Sequence, residues 1–178
     1  MASFEFLAII LTGLGLTASI FYYANILRNA NRTQQMQLET RQAQLFMGFH
    51  TAWHNTDFYR EMIEVAFLWK YEDYDDFMNK YWMTSNPEAF TLWGRAESYL
   101  EGMGVMMKRG LLDPSLMDDL MSGYIIAMWE KYAPFMLEFR TRNNQPQFGE
   151  FFEYLYREVM KSTIKDHPEL EESKMKWK

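Results

Sequence analysis

The feature that most constrains this chain is a stretch of 22 uncharged residues, Phe6 to Leu27, near its N-terminus. As an α-helix rising about 1.5 Å per residue, the stretch would be about 33 Å long, which matches a hydrocarbon core about 30 Å thick. It therefore predicts a transmembrane helix over residues 6–27, preceded by a short N-terminal segment, residues 1–5. The lipid bilayer is the first partner that the sequence predicts.

Two other interpretations of this stretch fit less well. A cleaved signal peptide has a basic segment before a shorter apolar core, whereas Met-Ala-Ser-Phe-Glu precedes this run, and two tyrosines and Asn25 lie near its end. A core helix of a soluble protein rarely contains so many uncharged residues in succession. We therefore favour a membrane span.

The flanks of the stretch predict its orientation. No Lys or Arg precedes it, whereas Arg28, Arg32 and Arg41 follow it closely, and basic residues favour the cytoplasmic side of a membrane. The expected protein is single-pass, with its N-terminus outside and its main domain cytoplasmic. Tyr22 and Tyr23 fit the aromatic belt at headgroup depth, so these tyrosines, Arg28 and Arg32 are the predicted interface anchors.

Small residues recur along one face of the predicted span. Ala8, Thr12, Gly15 and Ser19 are separated by four, three and four positions, which places them in one row on a helix. Such rows let two transmembrane helices approach closely, so this row predicts an association face toward a second copy or another membrane protein. The alternative is ordinary composition, because small residues are common in membrane helices.

The sequence after the predicted span, from residue 28 onward, predicts one compact domain on a stalk. Residues 28–44 are mostly polar and predict a helical stalk, residues 45–165 predict a helical bundle, and residues 166–178 predict a charged flexible tail. The aromatic content of 17% and the 15 methionines supply enough apolar side chain for a packed core.

Charge and cysteine content exclude several classes of function. The net charge is −6, and residues 1–33 carry one net positive charge, so the rest of the chain carries −7. An acidic domain without a basic stripe repels the phosphate backbone, so the sequence predicts that nucleic acid is not a partner. The chain contains no cysteine, which excludes disulfides, iron–sulfur clusters and cysteine nucleophiles.

The domain is predicted to be all-α. No segment alternates apolar and polar residues for long, and helix-start signals recur at Asn86-Pro87 and Asp113-Pro114. Thr56 or Asp57 is the expected cap of an earlier helix, and a last amphipathic helix is expected from Gln147. Five or six helices should form an up-and-down bundle, the first continuous with the membrane span.

Candidate catalytic or metal-binding residues are few. His50 and His54 are four positions apart, a spacing that can place two imidazoles on one metal, but no third ligand accompanies them in a known pattern. Boundary histidines on a core helix are the commoner explanation. The sequence therefore predicts no bound metal and no other cofactor, and these two histidines remain weak metal candidates.

Three carboxylates stand among apolar and aromatic neighbours on different predicted helices: Glu101, Glu130 and Glu153. A carboxylate in such surroundings is costly to bury unless it finds a partner, and Arg41, Arg95, Arg140 and Arg157 are available. Ion pairs between helices are the favoured interpretation. The alternative is a cluster of carboxylates that acts in acid–base catalysis or, with the histidines, binds a metal.

Four segments resemble a known family: RQAQLF, YLEGMGVMMKRGLLD, WEKYAPFM and FEYLYREV, in chain order between Arg41 and Lys161. They are similar to segments of a large family of short prokaryotic, single-pass membrane proteins whose helical cytoplasmic domain has no known function. The resemblance implies an anchored helical architecture. It implies no activity, because the shared segments are helix-packing sequences and the family has none assigned.

The sequence thus predicts a membrane-anchored, α-helical protein that works by binding other proteins. The expected partners are other membrane subunits, which it would assist or help assemble, or further copies of itself. A carboxylate and histidine metal-dependent enzyme built in a helical bundle is the alternative. The lack of a complete catalytic constellation favours the binding role over the enzyme.

Overall fold

The computed structural model describes residues 2–170, and all regular structure in this range is helical. There are six α-helices in this range: α1 (Ala2–Trp53), α2 (Thr56–Ile63), α3 (Tyr74–Tyr81), α4 (Pro87–Lys108), α5 (Pro114–Asn143) and α6 (Glu150–Asp166). A π-helical turn, Glu64–Leu68, follows α2 directly. The prediction of an all-α fold, with a long apolar N-terminal helix followed by a helical bundle, is confirmed.

The described residues divide into two compact units, the first ending at Gln44 and the second beginning at Leu45. The first unit is the greater part of α1, and every side chain from Ser3 to Arg41 is exposed. Within residues 2–170, α1 is the one helix that is long and apolar enough to cross a membrane, judged by its length and composition. None of its most apolar window is buried.

The second unit is built around α4, α5 and α6, with α6 packed extensively against both of the others. Its core is unusually aromatic. The largest fully buried side chains include Trp129, Tyr132, Phe77, Phe135 and Phe152. Rings of this size bury a large apolar area each, which stabilises a bundle made of few helices.

Two helices of this unit begin as the sequence predicts. The Asn86 side chain accepts a hydrogen bond from the Ala89 amide at 3.1 Å, and Pro87 is the first residue of α4. The Asp113 side chain accepts one from the Ser115 amide at 2.8 Å, ahead of α5. Each side chain satisfies an amide that the first helical turn leaves without an internal partner.

Two predicted helix starts are wrong by a few residues. Asn55, rather than Thr56 or Asp57, caps α2, because its backbone is extended and its side chain accepts a hydrogen bond from the Phe58 amide at 3.0 Å. The last helix begins at Glu150 instead of Gln147, because Gly149 has a positive φ of 65° and ends the preceding turn.

The predicted tail, residues 166–178, is described only at its start. Asp166 is the last residue of α6, and Pro168–Leu170 form a 3-10 turn. Residues 171–178 lie outside the described residues, so the predicted flexibility of the tail stays a prediction.

Candidate functional site

The predicted association face lies in the first unit, on α1. Its four residues, Ala8, Thr12, Gly15 and Ser19, are all exposed. The Thr12 hydroxyl donates to the Ala8 carbonyl and the Ser19 hydroxyl to the Gly15 carbonyl, each at 2.8 Å. A hydroxyl bound to its own helix in this way needs no water, which suits a helix in hydrocarbon. A Cβ at Gly15 would meet no atom within 4 Å, so the face is open.

The predicted interface anchors are exposed on the same helix. The Tyr22 and Tyr23 rings lie edge to face with centroids 5.6 Å apart, and Arg28 and Arg32 follow them toward the stalk. The role of these residues as interface anchors stays a prediction, because only their exposure and order along the helix are described.

The rings of His50 and His54 lie close together, tilted by 33°, at the end of α1 in the second unit. Their ring centroids are 4.1 Å apart, and the His54 Nδ1 lies 2.9 Å from the His50 carbonyl oxygen. The cavity beside them, of about 270 Å³, is lined by aromatic rings, leucine and methionine, with no carboxylate. Residues 2–170 contain no group of three or more His, Asp or Glu side chains placed to hold a metal ion.

Glu153 is held by two arginines. Its carboxylate pairs with Arg140 of α5 at 2.5 Å and with Arg157 one turn further along α6. Burial raises the pKa of Glu153, but the hydrogen bonds and charges of the two arginines outweigh it, so the net shift is downward. The Arg140 guanidinium also donates to the Phe148 carbonyl at 2.7 Å, which ties the segment before α6 to α5. This arrangement is the predicted ion pair between helices.

Glu101 has a different role from the predicted ion pair. Its carboxylate, on α4, accepts hydrogen bonds from the amides of Phe151 and Phe152 at 3.2 and 2.6 Å. These amides belong to the first turn of α6, whose own N-cap residue, Gly149, has no side chain to offer. Glu101 therefore caps a neighbouring helix, where a negative charge also interacts favourably with the helix dipole.

Gly104 allows this contact between α4 and α6. A Cβ at this position would collide with the backbone carbonyl of Phe151, so only glycine lets the two helices approach so closely. Gly102, two residues earlier, has no atom within 4 Å of an added Cβ. Of these two glycines of α4, only Gly104 is therefore required by helix packing.

Glu130 stands apart from the other two carboxylates. It is half-buried on α5, and its charge helps raise the pKa of Tyr156, after the larger effect of burial. The three carboxylates of the sequence prediction do not meet at one point, because Glu101 caps α6, Glu153 pairs with arginines and Glu130 lies beside Tyr156.

Lys131 is a residue whose role the sequence did not indicate. Its ammonium donates to the carbonyls of Val65 and Ala66 at 2.8 and 2.9 Å, in the π-helical turn after α2. The Tyr132 hydroxyl donates to the same Val65 carbonyl at 2.7 Å. Burial lowers the pKa of Lys131 to about 8. These donors satisfy carbonyls that a helix end leaves free, which is a structural role.

A groove of about 660 Å³ lies along α4, beside the segment that joins α5 to α6. Five aromatic side chains contribute to its lining: Trp82, Phe90, Trp93, Phe139 and Phe148. The Trp82 ring centroid is 4.9 Å from that of Phe90 and 5.1 Å from that of Phe139. Phe139 is in turn 4.3 Å from Phe148, so the rings form one continuous surface. We call this surface the aromatic groove.

Glu97 is the one carboxylate in the lining of the aromatic groove, among the residues described. It is half-buried, and its nearest polar contact is a long hydrogen bond, 3.4 Å, from the Ser98 hydroxyl. Burial, and then the charge of Glu101 one turn away, raises the pKa of Glu97 to about 7. The other polar residues of the lining are Thr91, Arg95, Ser98 and Gln145. An aromatic groove with a few polar groups, one of them a carboxyl of shifted pKa, is the usual character of a ligand site.

Glu97 is not among the residues that the sequence pattern singled out, although a signal was present. Glu97 lies between Ala96 and Ser98 and looks like a surface residue, unlike carboxylates flanked by aromatics. Its spacing from Trp93 and Glu101, four positions each way, places it on the same face of α4 as both. That spacing could have grouped Glu97 with the core-facing residues.

The fold and these sites define a class: an all-α protein with one helix that is long and apolar enough to cross a membrane, joined to a helical bundle. The family described as a domain of unknown function (DUF4760) matches residues 6–159. The match covers most of the chain, and the chain belongs to this family. Comparisons with curated proteins and with solved structures found no match.

Proposed function

We propose that this protein is a single-pass membrane protein that binds other proteins, as an accessory or assembly subunit of a membrane complex or as a homo-oligomer. Its N-terminus lies outside and its helical bundle lies in the cytoplasm. The association face on α1 contacts the partner within the bilayer. The bundle on the cytoplasmic side carries the rest of the interaction.

The observation that carries this proposal is the exposed apolar helix. From Phe6 to Leu27 the helix has no charge and no buried side chain, so something outside the described structure covers it. Water is an unfavourable environment for so large an apolar surface, whereas lipid is a favourable one. The hydroxyls of Thr12 and Ser19 are satisfied by hydrogen bonds within the helix, which lowers the cost of moving them from water into lipid.

The small residues of the association face support a protein partner in addition to lipid. Leucine and lipid tails are equally apolar, so helices in a bilayer associate through close packing, which small residues permit. Gly15 lies at the centre of this face with open space above it. The metal-dependent alternative has no comparable support, since the histidines and carboxylates do not form one site.

Ala8→Leu with Gly15→Leu is expected to reduce association about tenfold, because the larger side chains prevent close approach of a second helix. Association is measured in native membranes by crosslinking and by co-purification in mild detergent. The matched control is Gly13→Leu with Ala24→Leu, which makes the same two changes on the opposite side of the helix. Equal loss in both pairs, or no loss in either, would contradict the association face.

The second expected result concerns orientation. A protease added to right-side-out membrane vesicles should leave the chain beyond Arg32 intact, because the arginines after the span favour the cytoplasmic side. The same protease should digest that part once detergent opens the vesicles. Digestion of the helical bundle by the protease while the vesicles are sealed would show that the orientation is reversed.

A further inference from the structure

The aromatic groove contains a glycine that the fold does not require. Gly94 lies in the middle of α4 and lines the groove, and a Cβ there would meet no atom within 4 Å. Glycine weakens the interior of a helix relative to alanine, and close packing against another helix is the usual compensation. Gly94 has no such contact. Its lack of a side chain instead leaves the floor of the groove open.

Glu97 is the second feature of the groove, because its carboxylate has the Ser98 hydroxyl as a contact but, among the residues described, no charged partner. Within residues 2–170 no Lys or Arg lies within ion-pair distance of its carboxylate. Arg95, the nearest basic residue along α4, also lines the groove, and its charge is offset by a pair with Glu61 of α2 at 2.5 Å. A half-buried carboxylate beside aromatic rings is unfavourable when it is ionised and alone. A cation in the groove would relieve this.

The aromatic rings of the groove indicate that the ligand has an apolar part in addition to its positive charge. Trp82, Phe90 and Phe148 are each only partly buried, so their exposed faces are available to a ligand. The groove volume of about 660 Å³ is within the range typical of sites for small organic molecules. A bare metal ion would leave these faces unused and would find a single carboxylate, which is too few ligands.

We propose that the aromatic groove binds a small organic cation, an ammonium compound with an aromatic or other apolar body. The ammonium donates to the Glu97 carboxylate, and the body packs on the rings of Trp82 and Phe148 and over the backbone at Gly94. Aromatic faces also attract the positive charge itself. This site is separate from the association face and does not depend on it.

The test uses the full-length protein in detergent and 2-phenylethylamine as the probe, with 2-phenylethanol as its uncharged counterpart. Binding is followed by calorimetry and by intrinsic tryptophan fluorescence, to which Trp82 and Trp93 of the groove contribute. The amine should bind about tenfold more tightly than the alcohol, because a hydrogen bond between two charged groups is stronger than one to a neutral hydroxyl. Glu97→Gln should abolish this difference.

Gly94→Ala should weaken amine binding about tenfold by placing a methyl group on the floor of the groove. The matched control is Gly102→Ala, which makes the same change in the same helix at a second open position, outside the groove. Gly102→Ala should leave binding unchanged. Because alanine favours helix, neither variant is expected to unfold the protein.

Binding should also tighten between pH 6 and pH 8. The Glu97 carboxylate ionises over this range, with its pKa near 7, while an alkylammonium keeps its charge. The other charged groups near Glu97 are Glu101, which caps α6, and Arg95, which is paired with Glu61. Glu97→Gln should remove the pH dependence.

Three results would overturn the proposal. The first is no binding of the amine at about 10 mM, near the weakest affinity expected for so small a ligand. The second is equal binding of amine and alcohol, and the third is amine binding that Glu97→Gln leaves unchanged. Uptake by the detergent micelle alone would give the third result, so it is distinguished from binding in the groove.

Discussion

Gly104→Ala is expected to lower the free energy of unfolding of the helical bundle by about 3 kcal/mol. The added methyl group collides with the Phe151 carbonyl, so α4 and α6 must separate, and overpacking of this kind costs about 1–3 kcal/mol. Separation also lengthens the hydrogen bonds from Phe151 and Phe152 to Glu101, each worth about 1.5–3 kcal/mol when intact. Denaturant unfolding of the full-length protein in detergent, followed by tryptophan fluorescence, measures the change.

Gly102→Ala is the control for this prediction. It adds the same methyl group two residues earlier on α4, where nothing lies within 4 Å. Because alanine is the better helix former, we expect a gain of about 0.5–1 kcal/mol. If both substitutions changed the stability equally, the contact between Gly104 and Phe151 would not be what holds the two helices together.

Glu97→Gln is expected to raise the free energy of unfolding by about 1–3 kcal/mol at pH 8 and to change it little at pH 4. Burial raises the pKa of Glu97 from 4.5 to about 7 in the folded protein. The folded state therefore binds a proton more readily, and this residue lowers stability as the pH rises from about 4.5 to about 7. Each unit of pKa corresponds to about 1.4 kcal/mol, reduced here because the side chain is partly exposed.

Thermal or denaturant unfolding at the two pH values checks this result. Glu88→Gln is the control, because Glu88 is an exposed carboxylate on the same helix. Glu88 lies in the first turn of α4, where its charge interacts favourably with the helix dipole, so we expect this substitution to lower the stability slightly, by at most about 1 kcal/mol. Suppose that Glu97→Gln raises the stability and also weakens amine binding. Glu97 would then be a residue that is kept for function at a cost in stability.

A loss of stability at pH 8 would instead show that the carboxylate of Glu97 has a structural partner.

The sequence predicted the fold well because helix signals are local. Asn86 and Asp113 cap the next helix through amides two or three residues away, so the cap and its partner are visible in one short window. The uncharged run from Phe6 to Leu27 is likewise a continuous feature. Where two polar residues compete for one cap, as at Asn55 and Thr56, backbone geometry decides and the sequence alone does not.

The candidate sites were harder to predict because their parts are distant in sequence. The aromatic groove combines Trp82, residues of α4 and Phe148, and no single window contains them. Glu101 was singled out as a carboxylate among apolar residues and expected to pair with an arginine, but its partners are amides 50 and 51 positions away. Only the packing of α4 against α6 brings these groups together.

The contact from Glu101 to α6 couples the stability of one helix to that of the other. Gly149 provides no side-chain cap, so the hydrogen bonds of the first turn of α6 are complete only when α6 is packed against α4. The two helices therefore gain their full stability in one cooperative step and form a single folding unit. The amide protons of Phe151 and Phe152 are shielded by a carboxylate on another helix, so their exchange with solvent reports the separation of α4 from α6 and not the fraying of α6 alone.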